Sequence, residues 1–371
     1  MWIFVLLLIL VYTAFVSLLA AGIIKLYREN KGHQTAKTRP RVNVIIPFRD
    51  EAKNMPLLIH DLINQTFPAS GFFVCFIDDH STDGGDIIIS QAIKKHNLNA
   101  MLLHLPADKT GKKAAILTGL NNSTHDYILT TDADCRVSPN WIKSMMRQAA
   151  LKKSDLLLGP VIHAGKSMTG RLQSAESLSL LAVTMGTAGI GTPVLSNAAN
   201  MAIKRDVLNR LHDPFKAHVS SGDDIFLLES LKANKNPIAF NTDREAVVKT
   251  NASESWKKFI QQRARWMSKT KHYHCGSSKF TMFVFGGIQI GFIVSIPALI
   301  VHQAFITMLF LWMFKILYDN LLMYLVSLKY RIPFGLTDNI IFSAIYPFWT
   351  VVTTLVAYNT KPLWKGRAVK H

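Results

Sequence analysis

A chain of 371 residues, 49% of them hydrophobic, is long enough for a full soluble core plus membrane segments, which excludes a single small module. Its formal net charge of +18 invites a nucleic-acid reading, but the basic residues gather beside apolar stretches: Lys25, Arg28, Lys31, Lys37, Arg39 and Arg41, then Lys329 and Arg331. An anionic membrane face attracts that placement, and no basic stripe interleaved with aromatics crosses the rest, so no nucleic-acid partner is expected.

Residues 1–27 open the chain with no charge before Lys25, long enough to cross a bilayer, and lack the basic start and small-residue cleavage site of a secretory signal. Residues 28–41 form a basic linker. From 42 to 279 short β-rich runs alternate with helical periods: VNVIIP, KNMPLLIHDLINQ, FFVCFID, DIIISQAIKKH, AMLLHL, KKAAILTGLNN, YILTTD, NWIKSMMRQAALKK and DLLLGPV. That alternation predicts an α/β domain with a mainly parallel mixed sheet. Ligands in such sheets bind beyond the carboxyl ends of the strands. The acids stand there: Asp50 and Glu51 with Arg49 after the first strand, Asp78 and Asp79 after the second, Asp132 and Asp134 after the fourth. Past Val161 a zone rich in Ser, Thr and Gly reads as a helix followed by a pocket or membrane-proximal loop.

Residues 280–371 form a membrane region with three expected spans, near 281–301, 305–328 and 339–358, with His302 and Gln303 as a tight hairpin and Pro297, Pro333 and Pro347 kinking or ending helices. The positive-inside rule places the large segment between the first and second spans in the cytoplasm, making this an integral membrane protein of the cell membrane. Four spans put Lys361, Lys365, Arg367 and Lys370 on the other side, against that rule. Cys75, Cys135 and Cys275 have no metal-ligand spacing and read as reduced thiols.

Two carboxylates one residue apart, Asp132 and Asp134, suit Mg²⁺ or Mn²⁺ sharing a shell with water and phosphate. Alone, the pair also fits solvated turn acids ahead of a helix. FIDDHSTDGG offers acids for a ribose or base edge. KTGKKAAI puts Gly111 and two lysines at a helix start, where N–H groups and a cation meet phosphate. VSSGDDIFLLESL places Asp223 and Asp224 before an amphipathic helix, as a general base or as helix caps. QQRARW carries Arg for diphosphate and Trp for stacking, or an interfacial anchor.

The ordered set VIIPFRDE, IDDHSTDGG, GKKAA, DADC, GDD and Q-x-x-R-W closely resembles the family 2 inverting glycosyltransferases, in particular membrane-embedded polysaccharide synthases and ceramide glucosyltransferase-like enzymes. The resemblance runs from about Val42 to Trp266. It implies a GT-A fold flanked by transmembrane helices, a UDP-sugar donor, Mg²⁺ or Mn²⁺, and one in-line displacement that inverts the anomeric centre. By matching position, Glu51 and Asp79 would contact the uridine with Lys112 nearby, and Asp132 and Asp134 would hold metal and diphosphate. Asp224 would be the general base. Gln262, Arg265 and Trp266 would hold the donor diphosphate and the acceptor end, and Asn200 would border the acceptor. Asp50 stands where many relatives have Asn and Asp223 where many have Glu, and Cys135 reads as buried filler. A lipid and a growing polysaccharide both fit as acceptor, and a partner subunit is compatible with either. A rival class stays open: an inert membrane scaffold that binds nucleotide-sugar or recruits a synthase.

Overall fold

The run Val42–Phe48 forms strand β1 and is buried at all seven residues, as a strand covered on both faces requires. Its one polar side chain, Asn43, accepts from the backbone N–H groups of Thr124 and His125, so burial orphans no acceptor. The computed structural model describes residues 1–29, 40–216, 222–270 and 273–359, and the backbone at 363–364 and 367–368. Most of the basic linker (30–39), the tail residues Lys361, Lys365 and Lys370, and the Val219–Ser221 start of VSSGDD lie outside the described residues. The chain divides into two units: a sheet unit of Gly32–Ile162, Leu195–Asn251 and Lys365–His371, and a helical unit of Met1–Lys31, His163–Val194 and Ala252–Trp364.

In the sheet unit, β1 is joined by β2 (Phe72–Asp78), β3 (Ala100–His104), β4 (Tyr127–Thr130), β6 (Leu156–Leu158), β8 (Met201–Lys204) and β9 (Ile238–Phe240). The order is β3-β2-β1-β4-β8-β6-β9. β1 runs parallel to β2 and β4, β2 to β3, and β6 to β9, while β8 is antiparallel to both its neighbours. The sheet is therefore mixed and mainly parallel. Strand order reverses at β1, which has β2 on one side and β4 on the other, and their parallel carboxyl ends open one crevice. The register pairs Phe48 with Asp78 and Ile45 with Thr130, so the loops after these strands leave from the same edge. Two short strands, β5 (Cys135–Arg136) and β10 (Val248–Asn251), pair antiparallel with Cys135 opposite Thr250. β7 (Val161–Ala164) carries the chain over the boundary between the units. Helices α2 (Met55–Ile63), α3 (Gly85–His96), α4 (Lys112–Asn121), α5 (Trp141–Lys152), α7 (Arg205–Leu208) and α8 (Asp223–Ala233) complete the unit. Trp141, Met145, Met55 and Phe76 are fully buried in its core.

The helical unit holds α1 (Trp2–Glu29), α6 (Met168–Gly189), α9 (Trp256–Met267), α10 (Gly276–Val301), α11 (Phe305–Tyr330) and α12 (Leu336–Asn359). Of these, α1, α10, α11 and α12 are long and apolar enough to cross a membrane, and their limits lie within a few residues of the expected spans. Their outer faces carry exposed Ile3, Phe283 and Val301, surface that a lipid phase would cover. The hairpin at His302 and Gln303 forms as expected, with Gln303 at φ 53° closing the turn. The small-residue zone has a packing cause. A Cβ on Gly22 would stand 2.0 Å from the Gly186 carbonyl oxygen, and one on Gly189 2.0 Å from that of Gly22, so α1 and α6 touch backbone to backbone. Residues 163–194 and 252–279 fall in the same unit as the four long apolar helices.

Candidate active site

Beyond β1 and β2 the two loops are laced together. Asp50 Oδ1 accepts from Thr82 N at 2.8 Å, Ser81 Oγ accepts from Asp50 N at 3.0 Å, and Asp83 Oδ2 accepts from Ala52 N at 2.7 Å. Asp50 adopts φ 50°, a left-handed conformation that, glycine aside, Asp and Asn tolerate best. Glu51 follows it and accepts from Asn54 Nδ2 at 2.6 Å. The two acids after β2 divide their work. Asp78 shapes the turn, accepting from Ser81 N at 3.0 Å and lying 3.1 Å from His104 Nδ1. Asp79 accepts from Gly111 N at 3.0 Å, which ties the end of β2 to the start of α4. Burial raises its carboxyl above the usual range, opposed by the Gly111 bond and by Arg49. Gly111 sits at φ 100°, where a side chain would be strained, and from there the chain turns directly into α4.

Lys112, the first residue of α4, donates to Asp132 Oδ1. Burial alone would lower its ammonium pKa, yet Asp132, Asp223 and Asp224 together push it above its ordinary value. One cation thus sits in the field of three carboxylates from two separate motifs. Asp134 lies deeper. Its pKa is pushed up to about 6, first by burial and then by Asp132 and Glu51, against Lys112 and a 3.2 Å hydrogen bond from Thr250 Oγ1. The pairing of Cys135 with Thr250 places that hydroxyl. Cys135 itself is buried, as expected of filler. Glu51, Lys112, Asp132, Asp134 and Asp224 therefore form one electrostatic group at the carboxyl edge of the sheet, with Asp79 anchored beside Gly111.

Asp223 and Asp224 open α8 behind Gly222, and Asp224 Oδ1 accepts from Ile225 N. Asn200, expected to border an acceptor, is 1% exposed and fully engaged. Its Nδ2 donates to the carbonyls of Pro160 and Ala246, and its Oδ1 accepts from Trp141 Nε1 at 3.0 Å. The side chain clamps the framework around β8 through its amide and its carbonyl.

Gln262, Arg265 and Trp266 lie on α9 in the helical unit, all half-buried. Gln262 Oε1 accepts from Arg263 Nη1 at 2.6 Å, and the Arg263 guanidinium lies 3.9 Å from the centre of the Trp266 ring. Three further side chains contribute. Thr250 supports Asp134, Arg263 supports Gln262 and Trp266, and Asp61 holds Arg136, just past the acidic pair, through bonds of 2.6 and 2.7 Å. Only Arg263 had a local signal, its place inside Q-x-x-R-W. The others act across more than seventy residues of sequence.

The family model described as Glycosyl transferase family 2 matches residues 43–211, which excludes Asp223, Asp224 and the α9 residues. Glycosyltransferase AglE of Haloferax volcanii is 26% identical over 191 residues, 51% of this chain and 60% of that protein. Poly(ribitol-phosphate) beta-N-acetylglucosaminyltransferase TarP of Staphylococcus aureus is 23% identical over 218 residues, 58% and 64%. The chain thus spans about three fifths of the length of these relatives. Mannosyltransferase PcManGT from Pyrobaculum calidifontis, solved with GDP-Man and Mn²⁺, superposes with a TM-score of 0.56 at 16% identity, over 98% of this chain and 100% of that one. At that identity the likeness is one of fold, the GT-A fold. Over residues 43–211, which hold the first strands of the sheet and the acids after them, the chain therefore matches a glycosyltransferase family 2 enzyme domain.

Proposed function

We propose that the protein is a membrane-bound inverting glycosyltransferase that moves a sugar from a nucleoside-diphosphate sugar, in the first instance a UDP-sugar, to a lipid or growing polysaccharide. The observation that carries this is the convergence of Glu51, Lys112, Asp132, Asp134 and Asp224 at the carboxyl edge of the sheet. In this reading the catalytic unit is cytoplasmic and anchored by the four apolar helices.

The residues fit a divalent cation. Asp134 carries its charge reluctantly because burial and neighbouring carboxylates oppose it, and a nearby cation would relieve that. No group of three or more His, Cys, Asp or Glu side chains is poised for a metal among the described residues. Two hard carboxylates with water and diphosphate oxygens make the shell that Mg²⁺ or Mn²⁺ accepts, so Asp132 and Asp134 would hold it. When bound, the ion neutralises charge on the departing diphosphate.

The protein's own groups do the rest. Glu51 and Asp79 accept hydrogen bonds from the nucleoside. Lys112 turns its ammonium from Asp132 toward the diphosphate, a ligand that the family resemblance also assigns to Arg265 and Gln262. Trp266 stacks against the sugar or the acceptor end. Asp224 takes the proton from the acceptor hydroxyl as its oxygen attacks the anomeric carbon, a contribution of about 10²–10⁴ in rate. The attack displaces the nucleoside diphosphate from the opposite face, so the configuration inverts.

The test is purified protein with a panel of UDP- and GDP-sugars, Mn²⁺ or Mg²⁺ and a lipid extract, read by mass spectrometry. TarP is named for N-acetylglucosamine and the solved mannosyltransferase holds GDP-Man, so both donors belong in the panel. A discrete glycolipid identifies a lipid acceptor, and a ladder identifies a polymer. Turnover retained by Asp224→Asn would remove the base from the mechanism.

A further inference from the structure

We infer that a buried ion pair, Glu176 with Arg263, positions the α9 signature by setting the ring of Trp266 and the carboxamide of Gln262. The inference rests on the reading above, in which those two side chains serve donor and acceptor. Glu176 on α6 is 3% exposed and Arg263 on α9 is 4% exposed. Arg263 Nε donates to Glu176 Oε2 at 2.5 Å, and Nη2 pairs with the same oxygen. Trp349 Nε1, from α12, donates to Glu176 Oε1 at 3.1 Å. Three helices therefore meet at one carboxylate, and both its oxygens are engaged.

That anchoring decides where the guanidinium plane lies. It sits 3.9 Å from the Trp266 ring centre and 4.8 Å from that of Phe259, neighbours three residues ahead and four behind on the same helix face. The His163 ring comes within 6.1 Å of Trp266 and is itself held, with Nδ1 2.7 Å from Ser177 Oγ. Trp266 is thus located by a cation and a second ring.

The remaining arm of Arg263 settles the carboxamide. Nη1 donates to Gln262 Oε1 at 2.6 Å. A guanidinium has no acceptor, so Gln262 must turn its oxygen to Arg263, and its Nε2–H₂ donors are left for another partner. A pair of amide donors suits an anionic oxygen such as those of a diphosphate. A buried ion pair gains little net stability over apolar packing of the same volume, so geometry is the better reason to keep one here. Glu176 and Arg263 are positioning residues, acting through Gln262 and Trp266.

The experiment labels the full-length protein in detergent with 5-fluorotryptophan and records ¹⁹F spectra. The chain has seven tryptophans, and Trp266→Phe assigns the resonance of interest. Glu176→Gln and Arg263→Lys should each move the Trp266 signal, with that of Trp349 shifting as a direct partner. In transfer assays kcat should fall about tenfold while donor KM stays within about twofold. Arg263→Lys combined with Trp266→Phe should lose less than the product of the two single losses, because the two residues share one route. An unmoved Trp266 signal, or a lower Tm with unchanged kcat in the folded fraction, would overturn the inference. Should Glu176→Gln fail to fold, Arg263→Lys keeps the charge and gives the same readout. If the unmutated protein transfers no sugar, the functional reading fails by itself, and the ¹⁹F signal still decides the positioning.

Discussion

Charge is buried in the helical unit and half-buried at the edge of the sheet unit, on different terms. In the helical unit each buried ion has its complement: Glu176 has Arg263 and Trp349, and Lys315 donates to Asp319 Oδ2 at 2.6 Å and to the Ser343 carbonyl at 2.7 Å. Tyr12 closes that second cluster by donating to Asp319 Oδ1. In the sheet unit Lys112 faces Asp132, Asp223 and Asp224, and Asp134 is held with its pKa near 6. Neutralised charge fixes helices against one another. A carboxylate cluster with a raised carboxyl pKa is what a site for a cationic ligand shows.

Five substitutions or conditions break or sharpen that contrast. Asp224→Asn should cost about 10²–10⁴ in transfer, with donor binding retained, as measured by product mass spectrometry and titration calorimetry. Glu176→Ala leaves a buried guanidinium unpaired and should lower stability by about 3–5 kcal/mol in thermal or denaturant unfolding. Gly22→Ala drives a methyl into the Gly186 carbonyl and should cost about 1–3 kcal/mol by separating α1 from α6.

Acid should act on the helical unit through His163, whose pKa burial first and then Arg263 push down to about 3. Below the unfolded value of about 6.5 the unfolded chain binds a proton that the folded one refuses. Stability therefore falls as pH drops through that window, by about 1.4 kcal/mol per unit, and recovers as pH rises. His163→Gln should flatten the slope. Smallest of all, Asp134→Asn should leave stability unchanged or raise it by about 1 kcal/mol, since it removes like-charge repulsion with Asp132 and Glu51. A clear loss there would place Asp134 with the structural acids.

The strands, their order along the chain and the acids at their ends were legible because each is a local pattern: VNVIIPF and FFVCFID are continuous apolar runs, and the carboxylates follow them directly. The four apolar helices were legible for the same reason, since length and hydropathy are local. Asn200 was not. Its partners Trp141, Pro160 and Ala246 are brought to it by the fold from 40 to 59 residues away, and nothing in NAANMAI separates a framework clamp from a ligand contact. The affiliation of 163–194 was hidden likewise. A helix was expected in that stretch, but that its small residues form a contact face appears only once Gly22 lies against it. Glu176 stood in that helix unremarked, 87 residues from the arginine it binds.

The central claim, that Asp132 and Asp134 hold a metal-bound donor diphosphate, is tested most directly by electron paramagnetic resonance of Mn²⁺ added to the full-length protein with UDP. The account predicts that the free-ion signal is lost with the unmutated protein and persists with Asp134→Asn, and that EDTA stops transfer. Equal Mn²⁺ uptake by both proteins, or transfer that continues in EDTA, would contradict it.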